Sequence, residues 1–318
     1  MTADPAADAP PWRRIELPGL GPIEVRDSGP IDGPTDEPAI LLLHGWTTST
    51  DLNWCRTYGP LDERLAGRAR IVTWDHRGHG ARGLRSGTTT RMDDLADDTA
   101  AIARALDIDR AVVVGYSMGG MLLYAALDRR LDPAKLRRVA VVGSPARVRS
   151  PLPGLAFLAR MPRPLVPTLP LRLAGRSVAF MADWLDTPLH RILVNPKNMG
   201  KGASARALVN AIENVPGPLA ADFAEWLASD DGDVAIDGIS VLDALAKMTM
   251  PALFLAGAGD RIAPPEAVAR AYEAWGREVG TPKEFVLLGE DSGAAEDYGH
   301  GDLVLGFAAA HDVFPRVV

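Results

Sequence analysis

Three side chains far apart in the chain, Ser117, Asp260 and His300, carry the chemistry of an activated nucleophile. A hydroxyl can attack, an imidazole can take its proton, and a carboxylate can orient that imidazole. Ser117 lies in Val112-Val113-Val114-Gly115-Tyr116-Ser117-Met118-Gly119-Gly120, a G-x-S-x-G that follows a strand-like run and opens a helix-like one. A serine on so tight a turn projects from a strained backbone. Gly115 and Gly119 are expected to be small because the positions two before and two after the serine nearly touch. The helix N-terminus points at the hydroxyl, where negative charge develops on an oxyanion.

Three further segments complete the set. Leu43-His44-Gly45-Trp46 directly follows an apolar run, which places the main-chain N–H groups of Trp46 and Met118 as an oxyanion hole and leaves His44 to orient the loop. Ala256-Gly257-Ala258-Gly259-Asp260 ends another apolar run, so Asp260 stands at the edge where parallel sheets hold their sites, although a turn aspartate or helix cap has the same look. Tyr298-Gly299-His300-Gly301-Asp302 follows the last apolar run, and the flanking glycines leave His300 free to reach across the sheet edge. Taken alone His300 reads as a surface-loop histidine, but the order Ser, Asp, His along the chain favours a triad. His76 and His79 in Asp75-His76-Arg77-Gly78-His79-Gly80 have the types of metal ligands or of structural support for a tight loop. Glu290, Asp291, Glu296 and Asp297 read as a solvated face rather than a metal site.

Together HGW, GYSMGG, the GAGD loop and YGHGD resemble the α/β-hydrolase superfamily, over nearly the whole chain from Arg14 to Val318. The likeness is nearest to esterase- and lipase-like members whose histidine loop reads Y-G-H-x-D. It implies Ser117 as nucleophile, His300 as base, Asp260 as the acid, Trp46 and Met118 as oxyanion donors, and neither cofactor nor metal. Dehalogenase and epoxide-hydrolase chemistry is disfavoured, because those relatives place Asp where Ser117 stands.

The elements that must position these residues alternate. Arg14–Leu17 and Ile23–Arg26 read as an antiparallel pair around Pro18-Gly19, and Asp27 to Pro38 as a loop. Ala39–Leu43, Arg70–Trp74, Ala111–Val114, Val139–Val142, Ala252–Leu255 and Phe285–Leu288 read as strands buried on both faces. Helices are expected where Met92, Leu95, Ile102 and Leu106 share a face, at Met118–Leu127 and at Pro264–Trp275, and the resemblance implies one at Leu303–Val318. The pattern predicts a mostly parallel sheet flanked by helices, and the resemblance implies that it is the α/β-hydrolase fold. It breaks between about Pro145 and Met250, where six prolines from Pro151 to Pro170 punctuate an apolar stretch before helix-like runs at Ala203–Asn214 and Leu219–Ala228. The expected organisation is a flexible tail over 1–13, a core over 14–145 and 250–318, and a mainly helical cap over 146–249.

Bulk composition narrows the partners. The chain has 318 residues, 34 basic against 41 acidic, and a net charge of −7, a balance that disfavours nucleic acid. With 47% hydrophobic residues it can build a sizeable core. Cys55 is the only cysteine, so neither an internal disulfide nor a cysteine metal site is expected. With no signal-like segment and no long apolar run, the expectation is a cytoplasmic protein without stable membrane insertion. Its oligomeric state is left open. The expected activity is cleavage of a small to medium apolar carboxylic ester, with Phe180 and Trp184 of the cap as candidate substrate contacts. The alternatives are C–C, lactone or amide hydrolysis or acyl transfer by the same three residues, and a non-catalytic ligand receptor on this fold.

Overall fold

The computed structural model describes residues 12–29, 37–50, 61–65, 67–80, 90–149, 155–182, 190–200, 202–210, 212–236 and 238–317. Its backbone is an eight-stranded sheet built from β1 (Trp12–Leu17), β2 (Gly21–Asp27), β3 (Ala39–Leu43), β4 (Ile71–Trp74), β5 (Ala111–Tyr116), β6 (Leu136–Val142), β9 (Ala252–Gly257) and β10 (Lys283–Leu288). A separate two-residue pair, β7 (Ala235–Ile236) and β8 (Ile239–Ser240), was not evident in the sequence pattern. The order across the large sheet is β1-β2-β4-β3-β5-β6-β9-β10. β1 and β2 pair antiparallel, β2 joins β4 antiparallel, and every later pairing is parallel.

Continuous apolar runs become central strands here because alternate residues feed two different cores. Leu41, Leu43, Val113, Val139, Val141 and Phe254 enter one, while Leu42, Val114, Ala140, Val142 and Leu255 enter the other. The first core is closed by the helices Met92–Ala105 and Met118–Arg129 and the second by the C-terminal turns. Parallel strands all end at one edge, so the loops after β3, β5, β9 and β10 gather there. Those four loops carry His44 to Trp46, Ser117, Asp260 and His300.

The single helix expected over Leu303–Val318 is instead three short turns, Asp302–Leu305, Ala309–Asp312 and Phe314–Val317. The first ends at Gly306, where the backbone becomes extended and the Phe307 N–H donates to the Asn198 carbonyl at 3.0 Å. A bond to a distant segment has replaced the next helical one.

Between β6 and β9 the chain runs through short 3₁₀ turns, the helix Leu171–Val178, the helix Ala203–Asn210 and the longer Gly217–Ala228. This insertion is fastened to the core by Asp222, whose carboxylate accepts from Met92 N at 2.9 Å, at the start of the helix Met92–Ala105. Arg163 ion-pairs with the same carboxylate at 2.6 Å. A negative group at a helix N-terminus also meets the favourable end of the helix dipole. Among the described residues, no helix is long and apolar enough to cross a membrane.

Candidate active site

β5 ends at Tyr116 and the next helix begins at Met118, so Ser117 alone makes the turn. Its backbone sits at φ 52° and ψ −120°, a conformation that L-residues rarely adopt, and its N–H is held by the Val142 carbonyl at 2.8 Å. The flanking glycines leave no room for a methyl group. A Cβ on Gly115 would lie 2.6 Å from Gly120 N and 2.8 Å from the Gly119 carbonyl carbon, so this side of the turn closes on itself as expected. Gly119 has a different neighbour: its Cβ would lie 2.3 Å from the Leu43 carbonyl oxygen, at the end of β3.

That contact brings the loop after β3 against the serine. A Cβ on Gly45 would stand 2.9 Å from the Tyr116 ring and 3.2 Å from Ser117 Cβ. Trp46 follows, with its ring stacked on Phe223 of the insertion at 4.4 Å. Thr47 has φ 60°, and its carbonyl accepts from Glu213 N at 2.6 Å, also from the insertion. The loop is floored by histidines. His44 Nδ1–H donates to the Gly45 carbonyl at 2.8 Å, while its Nε2 accepts from His76 N at 2.9 Å. His76 Nε2–H donates back to the His44 carbonyl at 3.0 Å, and the two rings stack at 3.9 Å. His79 Nδ1–H donates to the Arg77 carbonyl at 3.1 Å.

Burial holds all three imidazoles neutral: the His44 value is pushed well below its usual range, His76 down to about 3 and His79 down to about 4. A second positive ring beside each of His44 and His76 would add repulsion. His44 and His76 are therefore props for the loop, with their hydrogen-bonding atoms turned on each other and on the backbone.

The three separated side chains meet. His300 Nε2 lies 2.8 Å from Ser117 Oγ, and His300 Nδ1 lies 2.7 Å from Asp260 Oδ2. With Asp260 ionised, the ring carries its proton on Nδ1 and offers Nε2 to the hydroxyl proton. The other carboxylate oxygen, Asp260 Oδ1, accepts from Ile262 N at 2.9 Å and Ala263 N at 2.8 Å. Asp260 thus stands at the start of the next turn, the capping position that sequence offered as its alternative, and its second oxygen still serves His300. Asp260 and His300 are buried, whereas Ser117 is partly open.

The histidine loop is secured on several sides. Tyr116 Oη–H donates to the His300 carbonyl at 3.1 Å, and burial keeps the phenol far above its usual value, so it remains a donor. Asp302, wholly buried, accepts from Gly299 N at 2.9 Å and, in the insertion, from Asn195 N at 2.9 Å and Asn198 Nδ2 at 2.8 Å. Desolvation raises its carboxyl above the usual carboxylate range, against the opposing pull of those same hydrogen bonds. Gly299 and Gly301 were expected to give His300 freedom to reach. Neither has positive φ, and both are small for another reason. A Cβ on Gly299 would lie 2.7 Å from Asn195 N, and one on Gly301 would lie 2.8 Å from Val194 Cγ1.

The cap candidates fare differently. Phe180 is 73% exposed, so it does not line a closed pocket. The reason is local: in the turn Ala179–Met181 it is Ala179 that packs inward. Trp184 lies outside the described residues, as does Cys55. Of the acidic run, Glu296 pairs with Lys197 at 2.9 Å, and Asp297 Oδ1 accepts from Glu290 N at 3.0 Å. Sequence reasoning missed Asn195, Asn198 and the anchoring role of Asp302. Asp302 was visible as the last letter of YGHGD, but no local signal marks the two asparagines.

The family model of the alpha/beta hydrolase fold matches residues 38–295, and the chain belongs to that family. Two curated relatives match over most of their length. One is the magnesium-chelatase 30 kDa subunit of Rhodobacter capsulatus, 28% identical over 79% of this chain and 80% of its own. The other is a bifunctional esterase/perhydrolase of Acinetobacter calcoaceticus, 28% identical over 74% and 78%. Among solved structures, the enol-lactonase of Burkholderia xenovorans LB400 superposes with a TM-score of 0.63 over 96% of this chain and 98% of its own. At 20% identity that likeness speaks for the fold alone.

Proposed function

We propose that this protein is a serine hydrolase that cleaves small to medium apolar carboxylic esters through an acyl-enzyme. The observation that carries the reading is the unbroken path that starts at Ser117 Oγ on a strained strand-to-helix turn and runs to His300 at 2.8 Å and on to Asp260 at 2.7 Å. Ser117 Oγ attacks the ester carbonyl carbon while its proton passes to His300 Nε2. The carbonyl π pair moves onto oxygen, facing the Met118 and Trp46 amides. Asp260 stabilises the imidazolium without taking the proton. Collapse expels the alcohol, which leaves with the proton from His300. A water then gives its proton to His300 as it attacks the acyl carbon, and collapse breaks the acyl–Oγ bond, with His300 returning the proton to Ser117 Oγ and the acid leaving.

Apolar specificity is supported by the cluster beside the oxyanion loop. Trp46 packs there with Leu158, Met161, Val166, Leu169 and Val215 of the insertion. In this reading the insertion is a cap that excludes water from the acyl-enzyme. The esterase named among the relatives points the same way.

The test is a panel of p-nitrophenyl esters, lactones and anilides, with fluorophosphonate labelling, run on wild type, Ser117→Ala and Asp260→Asn. Ester turnover should fall on the order of 10⁴-fold or more in Ser117→Ala, and labelling should vanish. Asp260→Asn should fold and lose about 10⁴-fold in kcat, because the amide favours the wrong imidazole tautomer. Ester turnover surviving in Ser117→Ala would refute the assignment. Faster lactone or anilide cleavage would move the substrate class and keep the nucleophile.

A further inference from the structure

His300 must stay within hydrogen-bond reach of two partners at once, yet it sits between two glycines in the long connection from Leu288 to Asp302. What fixes that loop comes largely from the insertion. Asp302 bridges the Gly299 N–H to Asn195 N and Asn198 Nδ2. The Asn195 and Asn198 side chains also donate to the Asp297 carbonyl, at 2.7 and 3.0 Å. Gly301 N donates to the Leu193 carbonyl at 2.8 Å, and Phe307 N to the Asn198 carbonyl at 3.0 Å. Segment 193–198 therefore grips the chain on both sides of His300. The near-contacts that forbid a side chain at Gly299 and Gly301 come from Val194 and Asn195 as well as the Asp302 carboxylate and the Leu193 carbonyl.

We propose that Asn198 and Asp302 are positioning residues, a clamp through which the insertion holds His300 in line with Ser117 and Asp260. The proposal rests on the serine-hydrolase reading of the site and adds its regulation. A buried carboxylate that accepts three hydrogen bonds, two of them from another segment, makes those segments move together. If segment 193–198 lifts to admit a substrate, the loop carrying the base loses the bonds from Asn195, Asn198 and Leu193 and keeps only its core contacts, such as the Tyr116 hydroxyl on the His300 carbonyl. Proton transfer is then fastest when the insertion is seated, which couples acyl transfer to closure over the substrate. A displacement of about 1 Å at the base is enough to cost up to about 10²-fold in rate.

The experiment compares wild type with Asn198→Ala, Asp302→Asn and the reciprocal pair Asp302→Asn/Asn198→Asp. Fluorophosphonate titration counts the competent serines, so kcat can be expressed per site. Asn198→Ala should lower kcat per titrated site about 10- to 100-fold, with KM held within roughly two-fold. Asp302→Asn turns an amide toward backbone donors and should do at least as much. The reciprocal pair restores a carboxylate–amide bond between the segments and should recover part of the loss. Burst kinetics should show acylation slowed, since that is the step in which His300 first takes a proton.

A purely structural role would leave fewer titratable serines, each turning over at the wild-type rate, and that result overturns the clamp. Should Asp302→Asn fail to fold, Asn198→Ala decides the matter alone, because it deletes one side chain from the insertion and leaves the core carboxylate. Ser117→Ala measured in parallel separates the two claims. An inactive Ser117→Ala beside a per-site normal Asn198→Ala sinks the clamp only. An active Ser117→Ala sinks both.

Discussion

The serine corner and the histidine corner of this site are held by different means. Ser117 is fixed by backbone packed on backbone: Gly115 against Gly120, Gly119 against Leu43, and its own N–H on the Val142 carbonyl. The loop of His300 is held by side chains and carbonyls: its own Asp302, Asn198 and Leu193 of the insertion far away in sequence, and the Tyr116 hydroxyl. The first arrangement belongs to the sheet and persists wherever the insertion lies. The second depends on where the insertion sits. The serine turn is thus built into the core, while the histidine loop, which also belongs to the core, is steadied in part from the insertion.

The largest expected effect breaks the rigid corner. Gly119→Ala would set a methyl carbon 2.3 Å from the Leu43 carbonyl oxygen, and neither backbone has anywhere to go. Overpacking commonly costs about 1–3 kcal/mol, and contact with fixed backbone belongs at or above the top of that range. Denaturant melts of Gly119→Ala should show that loss, together with near-complete loss of ester turnover. A variant as stable and active as wild type would mean the turn has slack, and the contrast between the corners would fail.

The two corners were also unequally legible in the sequence. Strand-to-helix turns announce themselves locally, since an apolar run, G-x-S-x-G and a helical period are neighbours along the chain. The sheet was readable for the same reason: each buried strand is a short apolar run, and only limits moved, as when β6 began at Leu136 rather than Val139. The meeting of Ser117, Asp260 and His300 followed from chain order and the shared strand edge. What sequence did not reveal was carried by contacts between distant segments. Gly299 and Gly301 suggested flexibility but serve close approach, and the Leu303–Val318 helix is interrupted where Asn198 captures Phe307 N. Phe180 counted as pocket-forming on hydrophobicity alone, which does not say which side of a turn faces inward.

The next effect is a pH dependence of stability centred under the serine corner. His76 and His79 titrate in the folded protein at about 3 and about 4, and His44 also lies well below the ordinary 6.5. As pH falls below about 6.5, the unfolded chain takes up these protons before the folded one does. Stability from the three neutral rings is therefore complete above about pH 6.5 and drains away as pH drops toward 4 and then 3. Each such histidine contributes a slope of about 1.4 kcal/mol per pH unit inside its window. His79→Asn keeps a donor for the Arg77 carbonyl and removes one titrating ring. Urea melts between pH 7 and 4.5 should give it a shallower loss of stability than wild type. Parallel curves for the two proteins would mean that His79 is already free to protonate in the folded state.

The smallest expected effect concerns the apolar layer that joins the insertion to the oxyanion loop. Leu158 and Met161 pack there around Trp46, whereas Phe180 is 73% exposed. If an acyl chain runs along that layer, each buried methylene favours binding by about 0.8 kcal/mol, roughly four-fold in kcat/KM. The slope should hold over the first few carbons, then flatten or reverse as the chain outgrows the space, because overpacking is penalised. Met161→Ala should shift the optimum toward longer chains by enlarging the space, with little change for acetate. Phe180→Ala should leave the series untouched, since an exposed ring offers an enclosed chain nothing to lean on. The measurement is kcat/KM for p-nitrophenyl acetate through dodecanoate, kept below the micelle concentration, in all three proteins. A profile flattened by Phe180→Ala and unmoved by Met161→Ala would place the acyl chain along the outer face of the insertion. The histidine clamp would then be closing over an open groove rather than an enclosed pocket, and the base would depend on a lid that the substrate itself helps to hold down.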